Sequence, residues 1–262
     1  MIFYFTATGN SLFVAKQLES APISIPQVKE RAPVYTADAI GIVSPVFAGE
    51  LPKIVVDFLK RATFRTPYLY LMLTYGNDVT DAPEFTKAQL DACGLNVQYI
   101  GTVKMVDNYL TAFDMDAQKA MDKHVDAQLE TIKADIAARK QFVPAATPRA
   151  RKLHKSVAAM GRVLPSLHNG AALRITDDCY GCGICTQVCP VGNLKLKNGK
   201  SVRIEKTCLF CLACIHACPG NAIRLKKEKN PNARYRNEHI SLSQLIEANN
   251  QNHTTRKGNR NE

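Results

Sequence analysis

The sequence predicts an α/β chain: a doubly wound sheet of five parallel strands over residues 1–142, followed by a small second domain organised around cysteine. Three observations predict this. Short apolar runs alternate with stretches of helical spacing up to residue 145, the pattern of successive βαβ units. Eight of the nine cysteines fall between Cys179 and Cys218. Charge also divides the chain. Residues 1–145 carry a net charge of −2 and residues 146–262 a net charge of +13, as expected of two units with different surfaces.

The first apolar run, 2–6, reads as a buried strand, and the turn-rich stretch 6–11 leads into helical spacing at Leu12, Phe13, Ala15, Lys16 and Leu18. A second strand is signalled at either 23–25 or 33–35, and the pattern does not choose between them. Residues 39–44 form the third run, stopped by Pro45. After Pro52, a common first-turn residue, Ile54, Val55, Phe58 and Leu59 recur at helical spacing. Residues 68–74 are the fourth strand, 82–92 a helix and 97–106 the fifth strand. Residues 114–140 read as one long closing helix with Met121, Val125, Leu129, Ile132 and Ile136 on one face. In such sheets ligands bind beyond the carboxyl ends of the strands, at the switch point of strand order. The loops 6–11, 45–50, 75–81 and 107–111 therefore form the expected walls of a site.

Residues 143–172 read as a linker, with Pro144, Pro148, Pro165, a basic run from Arg149 to Lys155 and a short helix at 157–164. The cysteine domain is expected over 173–228. A basic polar tail fills 229–262, with a short helix near 241–248 and a disordered last dozen residues.

Within the second domain Cys179, Cys182, Cys185 and Cys189 map onto Cys208, Cys211, Cys214 and Cys218 with one constant offset of 29. Each half reads C-x2-C-x2-C-x3-C-P, ending at Pro190 and Pro219. Structural zinc sites instead pair two C-x2-C knuckles across a longer spacer. The repeated run resembles that of bacterial two-cluster ferredoxins, which are small α+β domains. The resemblance implies two [4Fe–4S] clusters with crossed ligation: Cys179, Cys182, Cys185 and Cys218 for one, and Cys208, Cys211, Cys214 and Cys189 for the other. With all eight positions filled, it implies electron carriers rather than open catalytic clusters.

The loop Thr6-Ala7-Thr8-Gly9-Asn10-Ser11 lies between a strand and a helix and offers backbone amides, three hydroxyls and a positive helix end to a phosphate. It has no Lys or Arg, which suits a bound monoester better than a transferable phosphoryl group. It lacks both the P-loop and the dinucleotide glycine patterns. The loop resembles the T-x-T-G-N-[ST] phosphate signature of flavodoxins, which implies FMN. By that resemblance Thr6, Thr8, Gly9, Asn10 and Ser11 hold the phosphate, with Ala7 in the same loop. Pro45, Val46, Phe47, Ala48 and Gly49 flank the ring, with Ala48 or Gly49 offering a carbonyl to a protonated N5. Thr74, Tyr75, Gly76 and Asn77 line the other side. There is no Trp to stack on the ring; Phe47, Tyr75 and Tyr109 are the substitutes.

Together the two halves resemble the EFR1-type flavodoxin–ferredoxin fusion family of anaerobic bacteria and archaea, and the Y-F-T-A-T-G-N-S start, the S-P-V-F segment, the T-Y-G turn and the D-N-Y near residue 108 carry that resemblance along most of the chain. It implies electron transfer among two [4Fe–4S] clusters, FMN and a redox partner protein, to which the basic half offers a docking surface if that partner is acidic. The alternative is an FMN-dependent reductase of a small molecule fed by the clusters, with Tyr75, Asp107 and Tyr109 as candidate proton donors. The ferredoxin unit is expected near the flavin edge of its own chain or of a second subunit in a homodimer. A nucleic-acid role rests only on net charge, without interleaved aromatics or a binding fold, and is not expected. His216 is expected at the surface and Cys93 buried as a small apolar residue. With no basic leader at the start and no apolar run of membrane-spanning length, the expectation is a cytoplasmic protein.

Overall fold

The computed structural model describes residues 1–163, 169–204 and 208–251. In chain order the first part comprises β1 (Ile2–Tyr4), α1 (Asn10–Leu18), β2 (Ile23–Ser24), a 3-10 turn (Ile25–Gln27), β3 (Val34–Thr36), β4 (Ile40–Pro45), α2 (Lys53–Arg61), β5 (Thr63–Arg65), β6 (Leu69–Tyr75), α3 (Ala82–Asp91), β7 (Tyr99–Lys104), α4 (Met115–Lys119) and α5 (Val125–Ala137). β2, β1, β4, β6 and β7 form one sheet in that order, every neighbouring pair parallel. The order reverses at β1, so the carboxyl ends of β1 and β4 open the crevice in which α/β sheets take their ligands.

Alternation along each strand explains the two layers of helices. Ile2, Tyr4, Val43, Tyr70, Met72, Tyr99 and Val103 face Leu12, Val14 and Ala15 of α1 and Leu129 and Ile132 of α5. Phe3, Phe5, Ile40, Ile42, Leu69, Leu71, Leu73 and Ile100 face Val55, Phe58 and Leu59 of α2 and Leu90 of α3. Successive side chains of a strand point to opposite faces, and a parallel sheet buried on both sides needs apolar residues at each.

The structure departs from the sequence reading in several places. Both candidates for the second strand are extended: Ile23–Ser24 joins the main sheet through β1, while Val34–Thr36 pairs with β5 in a separate parallel ribbon. The single long closing helix is two helices. His124 sits in the left-handed region at φ 50, and its amide donates to Asp122 Oδ1 at 2.7 Å. This local side-chain bond stops the helical ladder from running through. The linker carries a sixteen-residue helix, α6 (Pro148–Val163); Leu164 and Pro165 lie outside the described residues.

The second part comprises β8 (Leu173–Ile175), α7 (Ile184–Gln187), β9 (Leu194–Lys197), β10 (Lys200–Arg203), α8 (Ala213–His216) and β11 (Ile223–Leu225), with antiparallel pairs β8–β11 and β9–β10. Its core takes Leu110 and Met115 from the stretch after β7, and Ala233 and Tyr235 from beyond β11. The segment expected as a solvated tail is folded as far as the structure describes it. Helix α9 (Leu242–Asn249) starts with a capping box at Ser241 and Gln244 and buries Leu245 and Ala248 on the α1 side of the sheet. The expectation of disorder in the last dozen residues falls outside the described residues except for Gln251.

Candidate functional site

A cavity of about 520 Å³ opens beyond the carboxyl ends of β1, β4 and β6, within the size range of small-molecule sites. Thr6, Ala7, Thr8, Asn10 and Ser11 line one side. Pro45, Val46, Phe47, Ala48 and Gly49 line another, and Thr74, Tyr75, Gly76, Asn77 and Tyr109 a third. Of the sixteen cofactor residues named above, Gly9 alone is not on this surface. It is the N-cap of α1, with Asn237 and Ile240 packed behind it.

The loop from β1 to α1 is polar and buried, with Thr6, Thr8 and Ser11 at most 2% exposed. The amide of Gly9 donates to Thr6 Oγ1 (3.1 Å), Asn108 Nδ2 donates to Thr8 Oγ1 (2.9 Å), and Ser11 Oγ bonds Thr74 Oγ1 (2.8 Å). Because Thr8 Oγ1 accepts from Asn108, its own hydroxyl proton is left to be donated into the cavity. Helix α1 has no side-chain cap and no acidic residue in its first turn. Its first amides therefore suit an anion.

In the loop after β4, Phe47 and Glu50 exchange backbone bonds while Ala48 (φ 53) and Gly49 (φ 90) turn through left-handed conformations. His154 of α6 lies under this turn: a Cβ on Gly49 would come within 2.7 Å of its ring. The Nδ1 of buried His154 stands 2.5 Å from Asp81 Oδ1 and its Nε2 stands 3.4 Å from Glu50. Asp107 joins two more loops, accepting from the amides of Asn77 (2.9 Å) and Tyr109 (3.0 Å).

One further wall, α6, was not anticipated; the other comes from the cysteine domain, which was expected near this site. α6 contributes Leu153, Val157, Met160 and Gly161, and the second cysteine run contributes Leu209, Phe210, Cys211 and Leu212. The i, i+4, i+7, i+8 spacing on α6 was a readable signal of one helix face. The second signal was the repeat itself. Phe210 and Leu212 stand where the first half has Gly181 and Gly183.

The eight clustered cysteines surround two further cavities. Cys179, Cys182, Cys185 and Cys218 line one, and Cys189, Cys208, Cys211 and Cys214 line the other. Among the described residues no group of three His, Cys, Asp or Glu side chains is arranged to hold a single metal ion. Backbone amides point at the sulfurs with the same internal repeat: Asn193 N–H donates to Cys189 Sγ and Ala222 N–H to Cys218 Sγ, each at 3.2 Å. Ser201 N–H donates to Cys179 and Phe210 N–H to Cys208, each at 3.3 Å. Such bonds stabilise thiolate charge and tune reduction potential. Burial pushes the thiols up: Cys185 and Cys208 are raised, Cys211 to about 12, and Cys214 lies well above its ordinary value. Metal binding at these sites therefore releases protons.

Leu209, Cys211 and Leu212 line both the large cavity and the Cys189/208/211/214 cavity, so a single layer of the second cysteine run separates them. The other quartet faces outward, beside exposed Tyr180, Cys182 and Leu196. His216 is buried, contrary to expectation, and burial pushes its pKa down to about 4. Cys93 is exposed, also contrary to expectation; it follows the last turn of α3, where the chain leaves the core.

Among the described residues no helix is long and apolar enough to cross a membrane. No curated protein matches the chain. A family model described as a 4Fe-4S dicluster domain matches residues 178–223, the stretch holding both quartets. That stretch is thus similar to dicluster iron–sulfur domains, and the chemistry it supports is iron–sulfur electron transfer beside an α/β domain with a five-stranded parallel sheet.

Proposed function

We propose that the chain is a flavo-iron–sulfur electron-transfer protein of flavodoxin–ferredoxin architecture, holding FMN in the large cavity and one [4Fe–4S] cluster in each cysteine quartet. The residues fit these groups. Four thiols ring each small cavity. The uncapped start of α1 and the Thr8 hydroxyl suit a monoester phosphate, and Val46, Phe47, Leu153 and Phe210 give the cavity apolar walls for a flat ring. When bound, each cluster carries one electron and FMN two.

The observation that carries this reading is the wall of Leu209, Cys211 and Leu212 common to the large cavity and the inner quartet. It makes Cys189, Cys208, Cys211 and Cys214 the inner site and Cys179, Cys182, Cys185 and Cys218 the outer one. The route between solvent and flavin then closes within one chain and needs no second subunit. In this reading Phe210, Leu212 and the α6 side chains exclude water from the inner end. Tyr180 and Leu196 present an apolar contact at the outer end. The β9–β10 hairpin that carries Leu196 also carries Lys195, Lys197 and Lys200, which favours an acidic redox protein as partner. Lys200 is paired with Asp177, whereas Lys195 and Lys197 are exposed and carry no ion pair among the described residues.

The test is an anaerobic reductive titration of protein reconstituted with iron, sulfide and FMN. Uptake of about four electrons per chain, two by clusters and two by flavin, is expected. Uptake of about two, with no bound flavin absorbance, overturns the flavin half of the proposal.

A further inference from the structure

His216 lies in α8 between Cys214 of the inner quartet and Cys218 of the outer one, and hydrogen bonds run from its ring to the loop between β1 and α1 by two routes. Its Nδ1 accepts from the amide of Tyr235 at 3.1 Å, so Nε2 carries the ring proton and donates it to the carbonyl oxygen of Asn108 at 2.9 Å. A single neutral tautomer satisfies both partners. From Asn108 the first route continues through Nδ2 to Thr8 Oγ1 at 2.9 Å. From Tyr235 the second continues through the phenol hydroxyl to Asn10 Oδ1 at 2.5 Å.

The segment after Tyr235 grips the same loop from behind. Asn237 donates its amide to the carbonyl of Thr8 (2.8 Å) and its Nδ2 to Asn10 Oδ1 (3.3 Å), while Asn249 donates Nδ2 to the carbonyl of Thr6 (3.1 Å). Asn10 in turn donates to the carbonyl of Val106 (3.1 Å). Asn237 and Asn249 are at most 5% exposed, so each loop carbonyl they hold is shielded from water and depends on them.

We infer that occupancy of the cysteine quartets and binding of FMN are thermodynamically coupled through His216 and Tyr235, with the 235–249 segment acting as a strap that sets the phosphate loop. The inference rests on the flavin reading above. Its physical basis is the small size of the cysteine domain. α7 and α8 are four residues each, and a domain so short of core relies on its metal to hold its elements. With both clusters in place the backbone on each side of His216 is tied by iron, and the ring is a fixed anchor for both routes. Without them α8 is held only by the packing of Leu212, Ala213 and Ile215 and by the His216 bonds, and the support of the amides and hydroxyls of residues 6–11 loosens. Coupling of this kind typically amounts to about 5–150-fold in affinity, and it acts in both directions.

The experiment measures quenching of FMN fluorescence on titration into the flavin-free full chain, with clusters loaded and after their removal by a chelator, for the native chain and for Tyr235→Phe and His216→Ala. Native protein is expected to bind FMN at least about tenfold more weakly after cluster removal. Tyr235→Phe keeps its amide bond to His216 and its packing; it is expected to weaken FMN several-fold in the loaded state without changing iron content, and to have no effect in the stripped state. His216→Ala is expected to abolish the difference between the two states. If His216→Ala fails to load iron, Tyr235→Phe decides. Equal FMN affinity in the loaded and stripped native chain, or equal weakening by Tyr235→Phe in both, overturns the coupling and leaves the flavin reading standing. Absence of FMN binding by the loaded native chain overturns the flavin reading, and the coupling falls with it.

Discussion

Phe210 occupies in the second cysteine run the position Gly181 occupies in the first, and both backbones are left-handed, at φ 52 and 76. The same holds one step on, for Leu212 at φ 62 and Gly183 at φ 77. A side chain in this region costs about 1–2 kcal/mol that glycine does not incur. The second run tolerates that strain at the two positions where its side chains wall the large cavity. The first run, facing outward, has no such wall to build.

The two positions should therefore respond oppositely to substitution. Gly181→Ala would drive a Cβ into the carbonyl oxygen of Gly199 in an unfavourable φ. It is expected to destabilise the cysteine domain by about 2 kcal/mol or more. Phe210→Gly releases backbone strain while losing apolar contact of similar size, so stability should change by less than about 1 kcal/mol while flavin affinity falls. Thermal loss of cluster absorbance, with FMN titration alongside, reads both effects.

Cys218 lines a cavity with Cys179, Cys182 and Cys185 of the first run rather than with its neighbours in sequence. Cys218→Ser is expected to remove the outer cluster, whose other thiols lie in the first run, and to leave the inner one. Iron should fall from about eight to about four atoms per chain. Electron paramagnetic resonance of the reduced protein should show one cluster without its partner's coupling. Loss of the inner signal instead would contradict the grouping of cysteines around the two cavities.

The helix over the cavity is pinned by an exposed ion pair. Arg151 of α6 grips Glu84 of α3 with two bonds of 2.8 Å, and the amide of Ala146 adds a third at 3.0 Å. These donors, the Arg151 bond foremost, hold the Glu84 carboxyl at about 2, below its ordinary 4.5. A carboxyl depressed in the folded state contributes stability that is complete above its unfolded pKa and fades as pH falls toward the folded one. Amide hydrogen exchange in 148–163, corrected for the intrinsic rate, should thus accelerate between about pH 4.5 and 2. Glu84→Gln should show the faster exchange already at neutral pH and lose most of the pH dependence.

Docking of an acidic carrier at the outer site predicts a salt effect. Lys195→Glu with Lys197→Glu should slow reduction by an acidic protein donor about tenfold or more at low ionic strength, and the difference should shrink with added salt. Reduction by a small chemical reductant should be unchanged. Equal slowing of both reductants would place the effect on the cluster rather than on the encounter.

Much of the fold was legible because local signals and burial agreed. The apolar runs at β1, β4, β6 and β7 are buried on both faces, so no polar alternation obscured them. The 29-residue offset showed the two cysteine halves directly, since ligand spacing is a local property. The closing helix was misread because Asp122 and His124 break it through a side-chain bond that helical periodicity does not register. The second strand stayed unresolved because both candidates are extended and only sheet pairing ranks them. His216 was misplaced for a related reason. A polar residue among cysteines looks exposed until Asn108 and Tyr235, 108 and 19 positions away, supply its partners.

Motif and spacing were enough to single out the polar loop between β1 and α1 and the eight clustered thiols, since each depends on residues close together in the chain. Tertiary structure alone decided which quartet faces the large cavity, that α6 roofs it, and that a segment as polar as 229–251 supports the loop between β1 and α1 rather than forming a solvated tail. In the last case the reason is hydrogen bonding. The buried side chains of Asn249 and Asn237 donate to the carbonyl of Thr6 and to Asn10 Oδ1, and such a pairing across more than 200 residues leaves no trace in local composition.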